Sequence, residues 1–511
     1  MISEKHFKLF YFLLFLLLSL IFFYQLSNQH WSGVLDQDLI IIYNSLLLNS
    51  GIEQEYIDHP AFTTFILNSF IYRIFNFFFN YSNNIDYILN SANTDKILQI
   101  YFYISRSVNF FLNIALVILF SKIIKSFQIN RTLRFFICLI FIFSIGFLSS
   151  LFLLRSENIS LLFLCLSIYT VLLGTKNLKF KFFISGMFLC LAMLAKIQII
   201  FLSTYLFFLI PQISLKKDYD INHNKLLNYY LIFSLVVGFF LYLILQFYIQ
   251  DLLFPQKNKY LDPFIFSVGL IVMLTYFYFN KNFKKNIIFF SSLMNGFVFL
   301  IIFILIMDQL GFLQVNKLIL LRLSNSFHHM AKFQGHFADG AININYIFKS
   351  ALIFFTNYKF NIIEFFLIII LFLINLRNKN YIFSILIIFL VNTLIMNFRY
   401  TVPTYHLYYI FIYLIFFVVA TKNLSFNIAS KLTYFALILF TINSFSFFVI
   451  KDHGYNIKRT FSRENAFLKI CEEFKYGIRS IKPFLVSVEY IKRSHTKFDD
   501  SVIKKICNEI N

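Results

Sequence analysis

The chain of 511 residues is 59% hydrophobic and only 14% charged, with 75 Phe and a formal net charge of +21. A soluble domain carries about a quarter charged residues, and here apolar runs of the roughly 20 residues needed to cross a bilayer recur along nearly the whole length. These numbers exclude a soluble enzyme, and they assign the positive charge to the cytoplasmic loops of a polytopic protein rather than to a nucleic-acid partner.

Residues 7–26 (FKLFYFLLFLLLSLIFFYQL) follow Lys5 and open the chain. The run is too long for a signal-peptide core and no small-residue cleavage site follows, so it reads as a retained first transmembrane helix with a cytoplasmic N-terminus. Residues 28–99 form a large first outer loop. Within it, Leu39, Ile42, Tyr43, Leu46 and Leu47 recur at helical spacing, and 61–79 (AFTTFILNSFIYRIFNFFF) reads as an interfacial amphipathic helix with Arg73 at its polar edge. Counting 61–79 as a crossing would move the basic loops to the outer side.

Further helices are expected near 100–121, 135–154, 158–175, 182–195, 197–213, 228–249, 264–279, 287–307, 361–376, 381–397, 405–420 and 432–450. Every second connection between them is basic, beginning with Lys122, Lys125, Arg131 and Arg134, and continuing with Lys176, Lys179 and Lys181. The positive-inside rule puts all of these on the cytoplasmic side. The predicted fold is therefore an all-α polytopic membrane protein with about 13 transmembrane helices, in the inner (plasma) membrane, with its C-terminus outside. Residues 1–450 make the transmembrane domain, including an outer gating loop at 308–360 with a second interfacial helix at 346–358. Residues 451–511 are a small extracytoplasmic domain or tail, where Cys471 and Cys507 can pair in an oxidising compartment. Cys138, Cys165 and Cys190 lie in apolar runs and read as small buried hydrophobes.

The outer face gathers the residues able to do chemistry. The stretch DQDLIIIYNSLLLNSGIEQEYIDHP (36–60) holds five of the chain's 24 acidic residues: Asp36, Asp38, Glu53, Glu55 and Asp58. Asp36 and Asp38 at a helix N-terminus suit the helix dipole and act as caps on one reading. On the other, with Asp58 and His59 returned to the same place by a turn at Pro60, they supply a general base for an acceptor hydroxyl or amine. Arg155 and Glu157 occupy a tight outer turn between apolar helices, either as a local ion pair or as functional charges. Lys196 stands alone in a long apolar run, either snorkelling or meeting a lipid phosphate. NFRYTVPTYHLYY (397–409) carries Arg399, whose fork of donors suits phosphate oxygens, with Tyr400 and His406 close by. FHHMAKFQGHFADG (327–340) has no established metal-ligand spacing, so no metal ligands are assigned and a divalent ion is left open as the minority reading.

A first transmembrane helix, an acidic outer loop with D-x-D, Y and H-P, an Arg/acid turn after the third helix, A-K at the next outer turn and R-Y-x-x-P-x-x-H late in the chain together resemble the GT-C superfamily of membrane glycosyltransferases. The closest branches are the protein O-mannosyltransferases and the lipid A aminoarabinose transferases. The chain departs from them in having His59-Pro60-Ala61 for H-P-P and Lys196-Ile197 for K-G. The resemblance implies a sugar on polyprenyl phosphate as donor and an extracytoplasmic lipid, glycan or protein as acceptor. It implies a catalytic role for Asp38, with Asp36 second and Glu157 as the counterpart of the family's acidic residue after the third helix; Asp58 is the further catalytic candidate of the 36–60 stretch. It implies donor-phosphate binding by Lys196 and Arg399, with Arg155 as a further candidate; Tyr56, His59, Tyr400 and His406, in the same outer stretches, are the candidate substrate contacts. A polysaccharide polymerase or ligase, and a lipid-linked-glycan flippase, are the rival readings.

Overall fold

The computed structural model describes residues 4–27, 29, 38–52, 61–91, 94–173, 177–196, 199, 202, 283–311, 406–421 and 425–449. Among them all regular structure is helical. In chain order the helices are α1 (Glu4–Ser27), α2 (Asp38–Asn49), α3 (Phe62–Phe79), α4 (Ile85–Asn90), α5 (Thr94–Ser126), α6 (Arg131–Ile142), α7 (Ile145–Phe152), α8 (Ser156–Leu172) and α9 (Leu178–Ala195). After them come α10 (Phe283–Gln309), α11 (His406–Thr421) and α12 (Phe426–Val449). Five stretches, Leu9–Ser27, Phe62–Phe79, Lys96–Ser126, Leu178–Ala195 and Lys285–Gln309, are long and apolar enough to cross a membrane, and α6 with α7 makes a sixth if the bent pair is one span. The protein is membrane-embedded. The helix expected at 197–213, save residues 199 and 202, those expected at 228–249, 264–279, 346–358, 361–376 and 381–397, nearly all of the 308–360 loop, and the tail with Cys471 and Cys507 lie outside the described residues.

The single helix expected over 135–154 is in fact two, α6 and α7, meeting at 60°. Ser144 makes the break. Its backbone is extended (φ −72°, ψ 146°). Its Oγ donates to the Phe141 carbonyl at 2.7 Å and accepts from Phe147 N–H at 3.2 Å. One hydroxyl thus finishes one helix and caps the next, the capping chemistry for which Ser is favoured.

Packing gives the bundle two distinct ends. Tyr11 near the start of α1 packs on Phe135 of α6, with ring centroids 5.2 Å apart, whereas Phe22 near its end stacks on Phe110 of α5 at 4.5 Å. α5 therefore runs antiparallel to α1. α8 runs parallel to α5: Asn158 meets Asn109 at its start, and the Tyr169 ring meets Lys122 near its end. α9 returns, with Ser185 bonded to Ser167 and Phe188 beside Phe163. One end of this array holds Lys122, Lys125, Arg131, Arg134, Lys179 and Lys181; the opposite end holds Gln29, Asp38, Arg155 and Lys196, at the termini of α1, α2, α8 and α9. α9 and α10 meet through glycine. A Cβ on Gly186 would strike the Leu293 carbonyl, and one on Gly296 the Phe183 carbonyl, so the backbones touch as only small residues permit in a membrane bundle.

α3 belongs to the second end along its length. Thr63 donates to the Leu191 carbonyl of α9 at 2.9 Å. Further along, Ser69 and Arg73 both bond Asn49 Oδ1 of α2, at 2.6 and 2.7 Å. Tyr72 bonds Ser105 and packs against Tyr101 in the first third of α5. Its last residues, Phe77, Phe78 and Phe79, are exposed.

Candidate functional site

Four of the charged residues singled out by sequence converge at the end of the bundle opposite the basic loops. Asp38 opens α2, Arg155 is the N-cap of α8, Glu157 lies in the first turn of α8, and Lys196 ends α9. Their exposures are 1%, 3%, 0% and 0%. Charges this deep in an apolar protein are expensive unless paired, and they mark function more often than stability.

Asp38 is not merely a helix cap. Its Oδ2 accepts from Arg106 Nε of α5 at 2.6 Å and from the Leu154 N–H at 3.3 Å, so the carboxylate ties three separate segments together. Asp38 lies outside the candidate membrane-spanning helices. Burial pushes its carboxyl above the usual range, against the opposing pull of Arg106, Arg155 and the Leu154 N–H. A raised carboxyl is a stronger proton acceptor than an ordinary aspartate.

Glu157 pairs with Lys196 (Oε1–Nζ 3.4 Å), and Arg155 faces both Glu157 and Asp38. Neither Glu157 oxygen accepts a hydrogen bond from the described residues, and nor does Asp38 Oδ1. The turn that presents Arg155 and Glu157 is built from beneath by amides. Asn109 donates to the carbonyls of Ser150 and Leu153 at 3.0 and 2.6 Å. Asn113 and Asn158 also donate to the Ser150 carbonyl, at 3.2 and 2.9 Å. The Ser150 carbonyl at the end of α7 and the Leu153 carbonyl of the α7–α8 connection thus find donors inside the bundle, as chain leaving a helix at membrane depth requires.

The late motif reaches the same end. Tyr408 of α11 bonds Ser160 of α8, whose hydroxyl also donates to the Glu157 carbonyl at 2.8 Å. His406 opens α11. Asp36, Tyr56, Asp58, His59, Arg399 and Tyr400 lie outside the described residues. Among the described residues no group of three or more His, Cys, Asp or Glu is arranged to hold a metal ion; the His-rich 327–340 loop is not among them.

Sequence reasoning missed Arg106. It sits in YISRSVNFF, inside a run that reads as an ordinary transmembrane helix, and the one signal was a lone charge, flanked by Ser105 and Ser107, within that run. Asn109 and Asn113 were missed for a related reason, as uncharged residues inside the same predicted span, and Asn158 was overshadowed by the charges of Arg155 and Glu157 beside it. Comparison with protein-family models, with curated proteins and with solved structures finds no match.

Proposed function

We propose that the protein is an integral-membrane glycosyltransferase of the GT-C kind, moving a sugar from a polyprenyl-phosphate donor to an extracytoplasmic acceptor with inversion at the anomeric carbon. The observation that carries this reading is the buried meeting of Asp38, Arg155, Glu157 and Lys196, charged residues drawn from three separate stretches of the sequence. A carboxylate to accept the acceptor's proton and cations to receive the phosphate leaving group are what such a transfer needs. Asp38 supplies the first, while Arg155, Lys196 and Arg399 supply the second. Tyr56, His59, Tyr400 and His406 are the proposed substrate contacts, and Asp36, Asp58 and Glu157 the further candidates for the base.

The test is release of labelled polyprenyl phosphate from a polyprenyl-phosphate-sugar pool in membranes holding the protein, compared with membranes lacking it, across lipid, glycan and protein acceptors. Release dependent on the protein is expected. Its absence with every acceptor sinks the transferase reading in favour of a polymerase acting on diphosphate-linked glycans, or of a flippase.

The site end is assigned to the outer face of the plasma membrane, the N-terminus to the cytoplasm and the C-terminus to the outside, because the opposite end collects the lysines and arginines. α3 is read as an interfacial helix. Its contacts with α2, the end of α9 and the start of α5 all belong to the site end, and Phe77, Phe78 and Phe79 offer an apolar edge to lipid. With Cys471 and Cys507 replaced by Ser, a cysteine placed at exposed Asn84 is expected to react with an impermeant maleimide from outside intact cells. One placed at exposed Gln128 should react only after permeabilisation. Labelling of both from the same side would overturn the topology.

A further inference from the structure

The geometry points to Arg106 as a positioning residue that fixes the Asp38 carboxylate by one oxygen and leaves the other, Oδ1, as the atom offered to the acceptor. This inference rests on the transferase reading and extends it to a residue outside the motifs from which that reading came.

Arg106 is 3% exposed and sits on α5, an element that contributes no other charge to the cluster. Its guanidinium spans two segments at once. Nε donates to Asp38 Oδ2 at 2.6 Å and Nη1 donates to Gln29 Oε1, just past α1, at 2.7 Å. Gln29 is itself held, its carbonyl accepting from Gln99 Nε2 of α5 at 2.8 Å, and the guanidinium carbon lies 4.8 Å from the centre of the Phe102 ring. A planar fork with donors at fixed angles can serve both oxygens; a lysine ammonium on a flexible stem holds its partner less rigidly.

The consequence falls on Asp38. Arg106 and the Leu154 N–H both bind the same oxygen, Oδ2, so the carboxylate plane cannot turn without breaking two hydrogen bonds that tie it to α5 and to the α7–α8 turn. Oδ1 accepts nothing from the described residues. Among the described residues, the charged groups facing the carboxylate are Arg106 from α5 and Arg155 from the head of α8. In the transfer, the acceptor hydroxyl gives its proton to Asp38 Oδ1 as its oxygen bonds to C1 of the sugar. The C1–O bond to phosphate breaks with its electron pair going to the phosphate oxygen, and polyprenyl phosphate departs. Arg106 takes no part in any of these bonds and acts only through Asp38.

The experiment measures kcat and donor KM for the full-length protein in lipid vesicles, with a labelled polyprenyl-phosphate sugar. It compares wild type, Arg106→Lys, Arg106→Gln, Asp38→Asn and the Asp38→Asn/Arg106→Gln double variant. Misplacing a reacting group by about 1 Å costs about 100-fold, so Arg106→Gln should lose about that in kcat with donor KM nearly unchanged, and Arg106→Lys should recover part of it. In the Asp38→Asn background, Arg106→Gln should cost nothing further, because there is no carboxylate left to position. The double variant carries neither charge, so an unpaired buried ion is not a reason for it to misfold. An equal loss from Arg106→Gln in both backgrounds overturns the inference, as does a rise in donor KM at constant kcat, which would put Arg106 on the donor itself. Absence of release by the wild type is a different failure: it removes the transferase reading and this inference with it.

Discussion

On the proposed transferase reading, Asp38→Asn is expected to slow release of polyprenyl phosphate by about 100-fold or more, the lower end of what a positioned general base contributes. The change is nearly isosteric. It keeps an acceptor oxygen for the Leu154 N–H but removes the charge that balances Arg106 at 2.6 Å. Breaking one side of a buried pair costs about 3–5 kcal/mol, so the single variant should also melt earlier in detergent. That penalty has to be separated from the chemistry. Asp38→Asn combined with Arg106→Gln removes both charges and should regain most of the lost stability while staying as slow as Asp38→Asn alone. Release at the wild-type rate by either variant would reduce Asp38 to a structural tie between α2, α5 and the α7–α8 turn, and Glu157 would then be the carboxylate to test as base.

What could be read from sequence followed from the cost of charge in an apolar chain. The residues that stood out, Asp38, Arg155, Glu157 and Lys196, lie at or next to helix termini, where a charge interrupts a hydrophobic run and is easily seen. Arg106 lies inside α5, more than two turns from its start, and its partners Gln29 and Asp38 are 77 and 68 residues away. No local pattern announces such a pair. The kink between α6 and α7 was hidden for a related reason. Ser144 is small and Ile145 resumes the apolar run at once, so hydropathy stays high across a break made by a single hydroxyl. That the first two basic connections share one end was legible, because Lys122, Lys125, Arg131 and Arg134 recur at the same level of the bundle as Lys179 and Lys181. Depth was not: whether α3 crosses or lies flat depends on which helices it touches, and Tyr72 with Ser105 and Thr63 with Leu191 are long-range facts.

Lys196→Met should eliminate release and destabilise the protein together, while Lys196→Met combined with Glu157→Gln should eliminate release alone. Lys196 Nζ stands 3.4 Å from Glu157 Oε1, with both side chains fully buried. Removing the ammonium strands a carboxylate in an apolar interior, again at a cost of about 3–5 kcal/mol. Neutralising Glu157 in the same protein relieves that cost, since Gln is almost the same shape, and replacement of a buried ion pair by neutral residues of similar volume is often nearly neutral for stability. Melting in detergent should therefore show a coupling between the two sites of about 1 kcal/mol or more, as expected for residues in contact. Activity should show no such recovery. If Lys196 stabilises charge on the departing phosphate, the double variant lacks that cation as surely as the single one, and an electrostatic contribution of this kind is worth about 100-fold or more in rate. A double variant that melts like the wild type and releases donor like the wild type would make the Glu157–Lys196 pair a packing device at the foot of α8. The work of holding phosphate would then fall to Arg155 and Arg399.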